Sequence, residues 1–122
     1  MLDANFIILY VDSPEASARF YADLIGQAPL EASPTFAMFA LPSGVRLGLW
    51  SRHTVEPGAQ AAGGGEIAMV VGSGEAVDAT HADWQRRGLA ILQAPTDLDF
   101  GRTFVAIDPD GHRLRVFHPF EG

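Results

Sequence analysis

Phe6-Ile7-Ile8-Leu9-Tyr10-Val11-Asp12-Ser13-Pro14-Glu15-Ala16 is answered further along the chain by Glu66-Ile67-Ala68-Met69-Val70-Val71-Gly72-Ser73-Gly74-Glu75-Ala76, at an offset of 60. Carried on without a gap to Leu24 and Trp84, the alignment holds identities at Ile7/Ile67, Val11/Val71, Ser13/Ser73, Glu15/Glu75, Ala16/Ala76, Ala22/Ala82 and Asp23/Asp83. A second match, at an offset of 67, sets Gly44-Val45-Arg46-Leu47-Gly48-Leu49-Trp50 against Gly111-His112-Arg113-Leu114-Arg115-Val116-Phe117. Two matches in the same order indicate a tandem duplication of a module about sixty residues long.

Each copy has the same coarse pattern. Phe6–Val11 and Glu66–Val71 are short apolar runs with β-branched residues and read as strands. Ser13-Pro14-Glu15 then opens a helix, with Ser13 as N-cap, Pro14 in the first turn and Glu15 at the positive end of the dipole. Its expected inward stripe is Ala16, Phe20 and Leu24, flanked by Tyr21 and Ile25, and Gly26 stops it. The second helix is expected from about Gly74 to Arg87, with Ala76, Val77 and Trp84 inward and Gly88 after it. Strands follow near Leu30 and over 36–41 and 45–50 in the first copy, and over 89–93, 103–107 and 113–117 in the second. The tight connections are Leu41-Pro42-Ser43-Gly44-Val45 and Asp108-Pro109-Asp110-Gly111. The order is βαβββ twice, an α+β class. Module one spans 4–51, a Gly/Ala-rich linker 52–65 and module two 66–118. One helix covers only one face of four strands, so the two modules are expected to join as a single domain. Its curved eight-stranded mixed sheet would offer a concave face as the ligand site.

Composition excludes much. The 122 residues carry a formal charge of −7, and all eight basic residues are arginines. Without lysine there is no Schiff-base chemistry, and without cysteine no thiol nucleophile, disulfide or thiolate metal site. Scattered arginines on an acidic chain argue against nucleic acid. No apolar run is longer than Phe6–Val11, far short of the roughly 20 residues a spanning helix needs, which argues against a membrane role. Met1-Leu2-Asp3 lacks the positive charge of a signal peptide, so the expected location is the cytoplasm. No Gly-x-Ser-x-Gly nucleophile motif occurs, and Ser73 reads as a helix start.

The duplication, the Val11-Ser17-Phe20-Tyr21 pattern and Asp108-Pro109-Asp110-Gly111 before the last strand together resemble the vicinal oxygen chelate superfamily. That superfamily includes glyoxalase I, extradiol dioxygenases and bleomycin-resistance proteins. The resemblance implies four positions that converge on a divalent ion in the metal-dependent members, and these fall on Phe6, Gly48, Glu66 and Arg115. Only Glu66 offers a ligand oxygen there, and a guanidinium brings positive charge to a cation's place. A metal-free protein with no cofactor and no catalytic residue is therefore expected. The alternative is a glyoxalase-like lyase or isomerase, or a dioxygenase-type metalloenzyme, with an atypical site.

Strand alternation sends Ile7, Leu9 and Val11 toward the helix and Phe6, Ile8 and Tyr10 toward the concave face. Leu47 and Leu49 likewise face the helix, leaving Gly48 and Trp50 on the concave side. Two roles fit Trp50, which are stacking on a planar ligand with free space over Gly48, and packing in a dimer interface. Glu66 and Arg115 are expected to pair. That pair either stiffens the site or hydrogen-bonds a ligand. Asp99-Phe100-Gly101-Arg102-Thr103-Phe104, with Glu66-Ile67 and Arg115-Val116, resembles the branch of the superfamily that binds phenazine antibiotics. By that resemblance Phe100 and Arg102 are candidate wall and lid residues, and the ligand is a planar aromatic drug or metabolite held by a homodimer. Read alone, Gly101-Arg102 is equally a turn leading into a strand. His53, His81, His112 and His118 show no metal-ligand spacing and read as surface residues.

Overall fold

The structure is a computed structural model that describes residues 2–61 and 64–121. Met1 and positions 62–63 of the expected linker lie outside those residues. The chain divides into two compact units, 1–62 and 63–122.

The first unit contains β1 (Phe6–Val11), α1 (Pro14–Ile25), β2 (Glu31–Ala32), β3 (Phe36–Ala40) and β4 (Arg46–Ser51). Its four strands form a sheet in the order β1-β4-β3-β2, with β1 parallel to β4 and the other pairs antiparallel. Ser13 caps α1 by accepting a hydrogen bond from the Ala16 amide, and Gly26 ends it in the left-handed region at φ 79°. The helix is turned relative to the expected stripe. Pro14, Ser17, Ala18 and Tyr21 are its buried positions, while Phe20 is half-buried and meets the Tyr21 ring edge-on at 5.1 Å. Ser17 and Ala18 are small enough to bring the helix close to the sheet, so the larger Phe20 and Leu24 flank the contact. Below it lie Val11, Ala37, Phe39, Leu47 and Leu49, all almost fully buried.

The second unit repeats this with β5 (Glu66–Val70), α2 (Gly74–Arg86), β6 (Ala90–Leu98), β7 (Gly101–Ile107) and β8 (Arg113–Pro119). The sheet order is β5-β8-β7-β6, again with the first and last strands parallel. Ile8 pairs with Gly48 in the first sheet and Ala68 with Arg115 in the second, so the sequence offsets of 60 and 67 recur as hydrogen-bonded register. Ser73 caps α2 through the Ala76 amide. Trp84 is buried, as expected, and packs edge-to-face on Phe104 at 5.3 Å. The Asp108 carboxylate accepts the amides of Asp110 and His112 at 2.9 and 2.8 Å, and Gly111 has φ 89°, the geometry its turn sequence demands.

β6 runs to Leu98 instead of stopping near Gln93. Ala94-Pro95 looks like a strand breaker, yet β6 is an edge strand whose pairing with β7 is irregular between Gln93 and Thr96. The missing Pro95 amide is tolerated at such an irregularity. The expected linker is also partly folded. Thr54 and Val55 donate backbone hydrogen bonds to the Ser51 carbonyl, and Val55 is buried.

Candidate functional site

In the first unit, the sheet face turned away from α1 carries Phe6, Ile8 and Tyr10 from β1, Gly48 and Trp50 from β4, and Phe36 and Met38 from β3. Register sets Tyr10 and Phe36 on either side of Trp50, and Ile8 and Met38 on either side of Gly48. Phe6 and Tyr10 remain 41% and 45% exposed, a large aromatic area for a surface. Phe36 and Trp50 meet edge-to-face with centroids 6.2 Å apart. The space expected over Gly48 is filled. A Cβ at that position would lie 2.8 Å from Phe6 Cε1 and 3.0 Å from Phe36 Cζ. Two ring edges converge on the glycine, and the flat wall has three rings instead of one. Phe36 belongs to this face and was legible only through register, since its strand shows no polar alternation.

In the second unit, Glu66 and Arg115 meet as expected. Arg115 Nε donates to Glu66 Oε1 at 2.5 Å, and Nη1 donates to Thr103 Oγ1 at 3.0 Å. Thr103 is fully buried and donates in turn to the Val116 carbonyl, so its hydroxyl fixes the guanidinium from below. The Arg115 side chain is only 16% exposed and that of Glu66 31%. Arg115 also lies 5.8 Å from the Phe100 ring centroid, and Phe100 packs edge-to-face on Phe117 at 5.6 Å. Phe117 stands where Trp50 stands in the first unit, at an offset of 67. Thr103 and Phe117 thus join the cluster, and only the pairing of β7 with β8 brings them there.

Arg102 is not on this face. It points to the α2 side, where Nε holds Asp78 at 2.8 Å and Nη1 holds Asp97 at 3.0 Å. Those hydrogen bonds raise its pKa above the ordinary arginine value. The residue ties helix to sheet, and strand parity explains the difference, because Arg102 alternates with the site-facing Gly101 and Thr103. Three of the four histidines make specific contacts, and of these His53 is exposed while His81 and His118 are half-buried. His81 packs against the Phe104 ring at 5.3 Å, His118 Nδ1 lies 2.9 Å from the Val71 carbonyl, and His53 Nε2 lies 2.7 Å from Asp12 Oδ1.

That last contact, with the Arg52 charge beside it, holds the Asp12 carboxyl below its usual value of 3.8. A carboxyl depressed in the folded state stabilises it above the unfolded pKa, and the effect disappears as pH falls through the folded value. In His53→Ala, the Asp12 carboxyl measured by carbon NMR titration should move up toward 3.8. An unchanged midpoint would show that His53 does not set it.

The family's metal positions do not fit a divalent ion. In one unit Phe6 leans over Gly48 and in the other Glu66 is hydrogen-bonded by Arg115, so one carboxylate oxygen pair is the whole donor set. Among the described residues no group of three or more His, Asp or Glu is placed to hold a metal. No helix there is long and apolar enough to cross a membrane.

Residues 4–116 match the model of the Glyoxalase/Bleomycin resistance protein/Dioxygenase superfamily. The chain belongs to that superfamily. The paired βαβββ units are its architecture in this protein. A phenazine antibiotic resistance protein, EhpR of Enterobacter agglomerans, is 30% identical over 115 residues, covering 92% of this chain and 88% of that one. A protein of Agrobacterium tumefaciens solved by NMR is 52% identical with a TM-score of 0.90, covering 99% of this chain and all of the other. A glyoxalase/bleomycin resistance protein/dioxygenase from Nocardioides is 27% identical with a TM-score of 0.83, covering all of this chain and 86% of that one.

Proposed function

We propose that this protein binds and sequesters a planar aromatic small molecule in the cytoplasm, without a metal ion and without converting it, and so confers resistance to an antibiotic or related metabolite. The observation that carries this reading is the aromatic face of Phe6, Tyr10, Phe36 and Trp50 around Gly48. Rings left half-exposed on a rigid sheet bind flat ligands by stacking and apolar burial, and need no reacting group to do so. Phe100, Phe117 and Arg115 offer a second aromatic edge with a cation beside it. The likeness to a phenazine antibiotic resistance protein supports the same ligand class. A homodimer would cover these faces, and sedimentation of the purified protein checks it.

Micromolar affinity corresponds to about −8 kcal/mol, within reach of a buried tricyclic ligand. Titration with phenazines should quench tryptophan fluorescence saturably. Trp50→Phe should remove most of the quenching, since Trp84 is buried in the core, and Trp50→Ala should weaken binding about tenfold. Binding that is indifferent to Trp50→Ala would overturn the assignment of this face. Stoichiometric metal in the purified protein together with turnover of a bound compound would favour a metalloenzyme instead.

A further inference from the structure

The sheet face of the second unit that carries Arg115 also holds a cleft of about 290 Å³, lined by Leu92, Gln93, Leu98, Val105, Arg113 and Arg115. Gln93, Val105 and Arg115 form one row across β6, β7 and β8. The register shift between Ile91 and Gln93 breaks the strand's alternation there, so Leu92 and Gln93 both reach the cleft. Val105 is its closed floor, and Leu92 and Leu98 are its exposed apolar walls.

Charge separates the two arginines. Across this acidic chain, Arg52, Arg86, Arg87, Arg102 and Arg115 each have a carboxylate partner. Arg113 stands opposite Glu66 in the register of β5 and β8, yet Glu66 turns to Arg115 Nε instead. Among the described residues Arg113 has no ion pair. The Glu66–Arg115 pair is neutral as a unit, which leaves the cleft one net positive charge, on an exposed side chain able to make a bidentate contact.

We propose that this cleft selects a monoanionic ligand, with the carboxylate of an aromatic acid on Arg113 and its ring against Leu92, Leu98 and Val105. The proposal rests on the reading of the protein as a binder of planar aromatic molecules, and gives the second unit a site of its own, apart from the Trp50 face, that takes such a ligand with a charge. A guanidinium beside apolar walls recognises the two ends of such an acid separately. A neutral isostere of the same shape satisfies only the walls.

Calorimetric titration of the whole protein with phenazine-1-carboxylate, phenazine-1-carboxamide and octanoate tests it. The carboxylate should bind about tenfold more tightly than the carboxamide. Arg113→Gln should abolish that preference, chiefly by weakening carboxylate binding. Arg86→Gln, on the α2 surface, should leave the preference intact. Equal affinities for the two phenazines in the wild-type protein, or a preference that survives Arg113→Gln, would overturn the anion site while the aromatic reading stands. Binding of octanoate alone, lost in Arg113→Gln, would support the anion site and overturn the aromatic reading. Binding of none of the three would overturn both.

Discussion

Gly101→Ala is expected to cost the second unit about 3 kcal/mol or more, the upper range for overpacking. Gly101 is buried where β7 begins, paired with Pro119 of β8. An added Cβ would sit 2.1 Å from the His118 carbonyl oxygen and 2.8 Å from Pro119 Cα. Both are backbone atoms and cannot swing aside as a side-chain end can, so the first pairs of β7 with β8 must open. Phe100 follows, because its carbonyl accepts the Phe120 amide at 2.9 Å across the same junction. The Phe100 ring would then lose its packing on Phe117 and its place beside Arg115. Chemical denaturation should therefore show a lower midpoint, and phenazine titration a weaker affinity, in one variant. Gly65→Ala is the control, since a Cβ there meets nothing within 4 Å and should change neither. A Gly101→Ala protein as stable as the wild type would mean that the β7–β8 junction does not have this register.

Phe104→Ala is expected to be as damaging for the opposite reason, about 3 to 5 kcal/mol from a cavity rather than a clash. Phe104 is fully buried, and Trp84 and His81 of α2 both set ring edges against it at 5.3 Å. Each such aromatic pair adds about 1 kcal/mol beyond the area it buries. Removing the ring therefore leaves Trp84 without its main aromatic partner and frees α2 from the middle of its sheet. The tryptophan gives a direct readout, because Trp84 emission should shift to the red in Trp50→Phe/Phe104→Ala relative to Trp50→Phe alone. Phe104→Leu, which keeps most of the volume, should recover more than half of the stability. Loss below about 1 kcal/mol for the alanine variant would show that the helix does not depend on this contact.

The two residues behave differently because of which side of one strand they occupy. Gly101, Thr103 and Val105 look toward the sheet face that carries Arg115, whereas Arg102, Phe104 and Ala106 look toward α2. That alternation was readable along β7, but its phase was not. Asp99-Phe100-Gly101-Arg102 ends one strand and starts the next, and a turn can hand on either parity. Arg102 turns to α2 at this point, while Phe100, in the turn itself, lies beside Arg115. On β1 and β4 no turn intervenes between the duplicated motif and the site. Phe6, Ile8, Tyr10, Gly48 and Trp50 accordingly fell on the face that period-two alternation assigns them.

Local chemistry alone determined the duplicated βαβββ order, both serine helix caps and the Asp108 turn. Each depends on residue type and on spacing within a few positions, or on the internal repeat, and all are written in the chain. Tertiary structure decided the rest. The rings of Phe6 and Phe36 over Gly48, the Thr103 hydroxyl beneath Arg115, the rotation of α1 onto Ser17 and Ala18, and the unpaired Arg113 all arise from contacts between strands or elements far apart in sequence. Side-chain volume and hydrogen-bond capacity are fixed by residue type, but which neighbours compete for them is set only when the strands pair. Glu66 could have turned to either arginine of β8, and the buried Thr103 holds Arg115 where Glu66 reaches it.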